Sequence, residues 1–186
     1  MIEPMRGAAA WPALLLAAAL LPAAPACKSR KIQTQETVEE GPRLASTVRM
    51  GDPAAADQLA GGFYDVEGNA WRWTSRQFAV NLRPPARAAR QGAVLELDFT
   101  IPRTSIDRLK SLSLSASIGG AALAPETYTR AGAYTYRRRV AATWLAGDAV
   151  RVDFQLDKAL PPGNVDRREL GLVVSSAGLA PPGAEP

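Results

Sequence analysis

The sequence predicts an all-β fold, an antiparallel β-sandwich, on three observations. Short runs in which apolar and polar residues alternate recur from residue 62 to residue 175, the two-residue period of strands buried on one face. Turn formers separate the runs, among them Gly68-Asn69, Pro84-Pro85 and Gly119-Gly120. At 186 residues the chain can bury one substantial core and carry appendages.

The chain begins with a processing signal. Residues 1–26 hold a short basic region at Arg6, an apolar run from Ala8 to Leu21, and small residues ahead of Cys27, the order of a secretory signal peptide. The apolar run is shorter than the roughly 20 residues that span a bilayer, and Pro12 and Pro22 bound or interrupt it. Ala24-Pro25-Ala26-Cys27 resembles a bacterial lipobox, which implies acylation of the Cys27 sulfur and stable anchoring by two or three lipid chains. The match departs from the pattern at Ala24, where Leu is usual, and at Pro25, so cleavage after Ala26 without acylation stays open. Lys28 in place of an acidic retention signal implies, by the same resemblance, the outer membrane facing the periplasm.

Residues 27–51 are polar and mixed in charge, and are expected to form a flexible tether. Asp52-Pro53 followed by Ala54 to Ala60 and Gly61 predicts one short helix, with Asp52 as N-cap, Pro53 at the first position and Gly61 at the C-terminal cap. Leu59 is its expected contact with the body of a sandwich domain at 52–181, and 182–186 are expected to be a disordered tail.

Gly68-Asn69 predicts a two-residue hairpin. That loop sets Glu67 opposite Ala70, Val66 opposite Trp71, Asp65 opposite Arg72 and Tyr64 opposite Trp73. One face then carries Tyr64, Val66, Trp71 and Trp73, the other Asp65, Glu67, Arg72 and Thr74. Further inward sets are Phe78, Val80, Leu82; Leu95, Leu97, Phe99, Ile101; Leu112, Leu114, Ala116, Ile118; Tyr134, Tyr136, Arg138, Val140; and Val150, Val152, Phe154, Leu156. Leu170 to Ser175 is more continuously apolar and predicts a central strand covered on both sides.

Three stretches, GFYDVEGNAWRWT at 62–74, AGAYTYRRRV at 131–140 and DRRELGLVVSSAGL at 166–179, together resemble jelly-roll, galactose-binding-like sandwich modules of bacterial envelope and polysaccharide-related proteins. The spacing of Glu67, Arg72 and Trp73, and that of Asp166, Arg168, Leu170 and Gly171, carry the resemblance, which covers residues 52–181. It implies fold and cellular context more than ligand.

Histidine is absent and Cys27 is the only cysteine, which removes Ser-His and Cys-His nucleophiles, a disulfide within the chain and a Cys-ligated zinc site. No cofactor or metal is expected. The net charge of +4 rests on arginine and reads either as composition or as affinity for anionic glycans or headgroups; with an export signal, nucleic acid is not expected.

Trp71 and Tyr64 are a candidate aromatic platform for sugar rings, or core, as is Trp73. Asp65, Glu67 and Arg72 are candidate ligand groups or an ion-pair cluster, and Asp166 with Arg168 a pair pinning the last loop. Glu96 and Asp98 share a strand face, the one arrangement that approaches a hydrolytic carboxylate pair. The expectation is a non-catalytic binding or accessory module on a lipid-anchored envelope protein, directed at cell-envelope polysaccharide. A structural lipoprotein docking a protein partner is the alternative, and a glycan hydrolase the weaker one.

Overall fold

The computed structural model describes residues 44–183; the expected signal peptide, Cys27, most of the tether and the last residues of the tail lie outside them. Nine strands are present: β1 (Thr47–Arg49), β2 (Leu59–Glu67), β3 (Trp71–Leu82), β4 (Ala93–Ile101), β5 (Leu112–Ile118), β6 (Ala121–Tyr128), β7 (Gly132–Val140), β8 (Val150–Leu156) and β9 (Val173–Ala180). Two short helices, α1 (Ala88–Gln91) and α2 (Arg103–Leu109), sit in the connections flanking β4.

Every strand pairing is antiparallel, and the ladder runs β6-β5-β8-β3-β9-β4-β7, with β1 added to β9 and β2 to β3. The long strand β3 is the crease. Its C-terminal half, Gln77 to Leu82, pairs with β8, whereas Arg72 and Trp73 pair with Val174 and Val173 of β9. Folding there leaves two rows, β6-β5-β8-β3 and β7-β4-β9-β1. With β2 extending the first row beyond β3, this is the strand order of a jelly roll, an antiparallel sandwich of two packed sheets.

The open ends of the ladder meet through side chains. The Tyr136 hydroxyl of β7 donates to the Ala124 carbonyl of β6 over 2.8 Å, Arg138 Nε reaches the same oxygen at 2.6 Å, and Arg138 Nη2 pairs with Glu126 at 2.9 Å. Polar side chains thus occupy edge carbonyls that would otherwise recruit a foreign strand. Arg138, on the inward parity by alternation, lies 4.2 Å over the Tyr136 ring and closes the sandwich by hydrogen bonding instead of filling it.

Strict alternation decides the core. Leu95, Leu97, Phe99 and Ile101 of β4, Leu112, Leu114, Ala116 and Ile118 of β5, and Val150, Val152, Phe154 and Leu156 of β8 are all buried. Phe78 and Phe154, direct cross-strand partners, stack at 4.9 Å, and Phe99 meets Tyr128 edge-on at 5.3 Å to join the two rows. Aromatic pairs of this kind add stabilisation beyond their buried area.

Several expectations are corrected. Residues 47–50, expected to lie in the tether, belong instead to the fold, because Val48 and Met50 are buried and β1 takes the edge of β9. Three residues are too few to show a period. Asp52 caps as expected, its Oδ1 accepting from Ala54 N at 2.9 Å, but the element is a 3-10 helix, Pro53–Gln58, and Gly61 lies inside β2 instead of capping it. Leu59, now the first residue of β2, does pack on the core. The central strand begins at Val173, not Leu170. Its inward residues Val174, Ala177 and Leu179 are buried, whereas Ser175 is exposed, so only one face is covered. β6, interrupted by Pro125, and the helices α1 and α2 carry no alternation and were not expected.

The hairpin register is shifted by one. Gly68 and Asn69 both have positive φ, 58° and 51°, and Ala70 N bonds to Glu67 O, a turn of the expected kind. Pairing, however, resumes with Glu67 opposite Trp71 and Val66 opposite Arg72, with a further irregularity before Phe63 meets Thr74. A one-residue slip exchanges faces. Thr74 is wholly buried and accepts from Leu172 N through its Oγ1 at 3.0 Å, so the inward parity of β3 is Thr74, Phe78, Val80 and Leu82. Trp71 and Trp73 lie on the opposite parity, outside the core cluster, each half-buried.

Candidate functional site

The residues singled out from sequence fall into two groups. Glu67, Asp166, Arg168 and Tyr64 come together. Arg168 donates to Asp166 at 2.9 Å and to Glu67 at 2.8 Å, and its guanidinium lies 5.2 Å from the centre of the Tyr64 ring. Hydrogen bonds from the Arg168 side chain and backbone hold the Asp166 carboxyl below the usual carboxylate range. Asp166 and its neighbour Glu67 raise the already high affinity of Arg168 for its proton.

Arg72 does not join them. Its side chain donates to the backbone carbonyls of Met50 at 3.2 Å and Tyr64 at 3.0 Å, bracing the hairpin against the end of β1, and Asp65 is exposed. The expected Asp65, Glu67 and Arg72 cluster is therefore replaced by one in which Arg168, 101 residues along the chain, takes the place of Arg72 beside Glu67. Trp71 shares the cross-strand position with Glu67, and its indole lies over the turn, where a Cβ on Gly68 would come within 3.1 Å of Nε1. Trp144, in a 3-10 turn at Ala142–Trp144, packs against the core.

The two carboxylates on β4 are tied to neighbouring strands. Glu96 pairs with Arg137 at 2.7 Å, and Asp98 accepts from Thr135 Oγ1 and Ser176 Oγ, each at 2.6 Å. No group of three or more potential ligand residues that could hold a metal ion occurs among the described residues. No helix among them is long and apolar enough to cross a membrane.

A second region emerges only from the fold. The outward face of β5, β8 and β3 forms a groove of about 490 Å³, bounded by Gly61 and Gly62 of β2 on one side and by Ala122 of β6 on the other. Cross-strand register builds it in transverse lines. Ser115 faces Gln155, which faces Gln77; Ala122 faces Ser117, which faces Asp153, which faces Ala79. Neighbouring strands stand about 4.8 Å apart and same-face residues about 7 Å apart, so these side chains form a shallow lattice of polar groups.

Glycine, alanine and serine keep the groove low. A Cβ at Gly62, where φ is 76°, would overlap the Gln77 carbonyl, so β2 can pass this close only as glycine. Above that floor Arg151 Nε pairs with Asp153 Oδ1 at 2.7 Å, both half in solvent. The exposed side-chain amides of Gln77 and Gln155 make no hydrogen bond among the described residues. Ser115, Ser117, Arg151, Asp153 and Gln155 are outward members of alternating strands in the sequence, but Gln77 precedes the alternation that starts at Phe78, and no local signal places β5, β8 and β3 side by side.

No protein-family model and no curated protein matches the chain. Similar solved structures include TmCBM27, a carbohydrate-binding module that recognises mannan, at TM-score 0.42 and 14% identity over 73% of this chain and 95% of that one. An acetyl xylan esterase, Est2A, from the rumen bacterium Butyrivibrio proteoclasticus is similar at 0.42 and 10% identity, over 73% of this chain and 32% of its own. The CBM36-1 domain of a multidomain xylanase from the hindgut metagenome of Trinervitermes trinervoides is similar at 0.39 and 8% identity, over 74% and 98%.

Proposed function

We propose that the protein is an exported, lipid-anchored binding module whose groove across β5, β8 and β3 takes a polyhydroxylated ligand, a polysaccharide of the cell envelope. The observation that carries the reading is the pair of adjacent, unengaged amides, Gln77 and Gln155, standing beside the Arg151 and Asp153 pair on a floor of small residues. An amide offers two donors and a carbonyl acceptor, a carboxylate accepts twice, and a guanidinium donates in a fork. Such a set matches the mixed donor and acceptor character of sugar hydroxyls.

The groove is open and its lining aromatic residues, Phe78 and Phe154, are buried beneath the floor. Recognition therefore rests on hydrogen bonds exchanged with water, each contributing about 0.5–1.5 kcal/mol net, and affinity is modest. Anchoring at Cys27 would hold such a module beside a repeating ligand, where local concentration compensates for weak single contacts.

Titration calorimetry against purified envelope polysaccharides tests the binding. Gln77→Ala with Gln155→Ala should abolish the heat of binding while leaving the melting temperature in place. Unchanged binding by that double variant removes the groove as the site. Mass spectrometry of membrane-extracted protein tests the anchor: an unmodified Cys27 overturns it.

A further inference from the structure

A second concavity, of about 410 Å³, lies at the loop that follows β3, lined by Arg83, Pro84, Pro85, Arg87, Arg90 and Asp148, with Leu145 at its base. Arg83, Arg87 and Arg90 are all exposed, and none makes an ion pair among the described residues. Asp148 is the only carboxylate in the lining. Arg137, Arg138, Arg151 and Arg168, by contrast, each pair with an acid.

The walls are held in place. Ala88 and Leu145 are buried, Ala88 N bonds to Pro85 O at 3.0 Å, and Arg90 N and Gln91 N both bond to Arg87 O. Arg87 itself has φ of 67°, a left-handed conformation that a glycine would adopt at lower cost. A long cationic side chain is thus presented from a position where local backbone preference favours having none.

The location matters as much as the charge. Arg83 N donates to Ala45 O at 3.1 Å, and the buried Gln58 clamps Ala45 from both sides, accepting from its N–H at 2.8 Å and donating to its carbonyl at 3.0 Å, while also donating to Asn81 O at 2.7 Å. The chain from Cys27 therefore enters the described fold beside Arg83. Residues 28–43 span at most roughly 55–60 Å when fully extended, which bounds how far this groove can stand from a lipid at Cys27.

We infer that the Arg83, Arg87 and Arg90 groove binds the phosphate of anionic phospholipid headgroups, seating the domain on the membrane that carries it. The phosphate recognition stands on the arginines and the concavity; the choice of a lipid as its bearer rests on the anchored reading above. Guanidinium groups pair with phosphate oxygens in bidentate geometry, and basic clusters near a bilayer are drawn to its anionic leaflet.

The test uses the full chain carrying Cys27→Ser, so that no acyl chain contributes. It is co-sedimented with vesicles of phosphatidylcholine alone and with vesicles that also contain phosphatidylglycerol. The groove predicts binding that needs phosphatidylglycerol and falls tenfold or more in the triple variant Arg83→Gln, Arg87→Gln, Arg90→Gln, with the melting temperature unchanged. A control variant, Arg103→Gln, Arg108→Gln, Arg167→Gln, removes the same charge from exposed positions elsewhere. Equal losses in the two triple variants would mean unspecific attraction and overturn the site. Calorimetry with inorganic phosphate separates the sources: arginine-dependent phosphate binding without arginine-dependent vesicle binding overturns the membrane assignment. Neither result depends on whether Cys27 is acylated or on what the β5, β8 and β3 groove holds.

Discussion

Arg168 Nη1 donates to Glu67 Oε1 over 2.8 Å, tying the loop before β9 to the tip of the β2 and β3 hairpin. With Asp166 on its other side, this partly exposed triad pins the loop to the hairpin tip at the surface. The Asp166 carboxyl is held low in the folded state, so its contribution is present above the unfolded value of 3.8 and is lost as pH falls through the lowered folded value. Asp166→Asn should therefore melt below the wild type near neutral pH, with the gap closing in strong acid. A gap that stays constant with pH would show that the pair does not govern the loop.

Thr74 carries the corresponding load inside the sandwich. Replacing it by Val preserves shape but leaves Leu172 N without its 3.0 Å acceptor in a fully buried site. The expected loss is about 1–3 kcal/mol, read from denaturant unfolding with an unchanged m-value.

Burial, with Glu126 nearby, raises the pKa of the Tyr128 hydroxyl, which finds no hydrogen-bond partner in the described structure. In the unfolded chain the group ionises near 10.0, while the folded protein keeps it neutral to higher pH. The unfolded state then binds fewer protons, so stability falls as pH rises above about 10. Tyr128→Phe should flatten that alkaline decline without lowering the melting temperature at pH 7, since it removes an unpaired buried hydroxyl. Thermal melts across alkaline pH decide it.

Trp71 lies off the core, whereas Leu97 is fully buried within it. Trp71→Ala should cost about 1 kcal/mol or less, within the ordinary range for a surface position, and Leu97→Ala about 2–5 kcal/mol. Cooperative unfolding of Trp71→Ala at room temperature would restore the tryptophan to a core role.

Gly62→Ala should disrupt the groove before it disrupts the sandwich. The added Cβ overlaps the Gln77 carbonyl at a positive φ, so β2 must move away from β3. Amide hydrogen exchange should rise across β2 and Gln77 while β4 and β9 stay protected.

Legibility in the sequence followed burial geometry. β4, β5, β8 and the second half of β3 were readable because one face of each is wholly buried, which forces an uninterrupted period of two. β1 is too short to show a period, and β6 has exposed residues on both sides of Pro125. The hairpin turn was readable but its register was not, because Ala70 joins the loop and Thr74, a polar residue, occupies the inward position that the tryptophans were expected to fill. The pairing of Asp166 with Arg168 is local and was visible; Glu67 with Arg168 is not local and was missed. The same distinction hides the groove, whose polar lines join strands far apart along the chain.

The first and last strands of the described fold lie side by side and antiparallel, Thr47 against Gly178. A pull on the chain at residue 44 against the end of β9 would load the β1 ladder as a zipper, parting its bonds one at a time. The bonds of Ala45 to Gln58 and Arg83 would go first, then Leu179 N to Ser46 O, and Met50 N to Ser175 O after it. Tension arriving at residue 44 is thus met by the least resistant mode of a β-ladder, so β1 is the segment that yields under force while the eight strands behind it keep their shape.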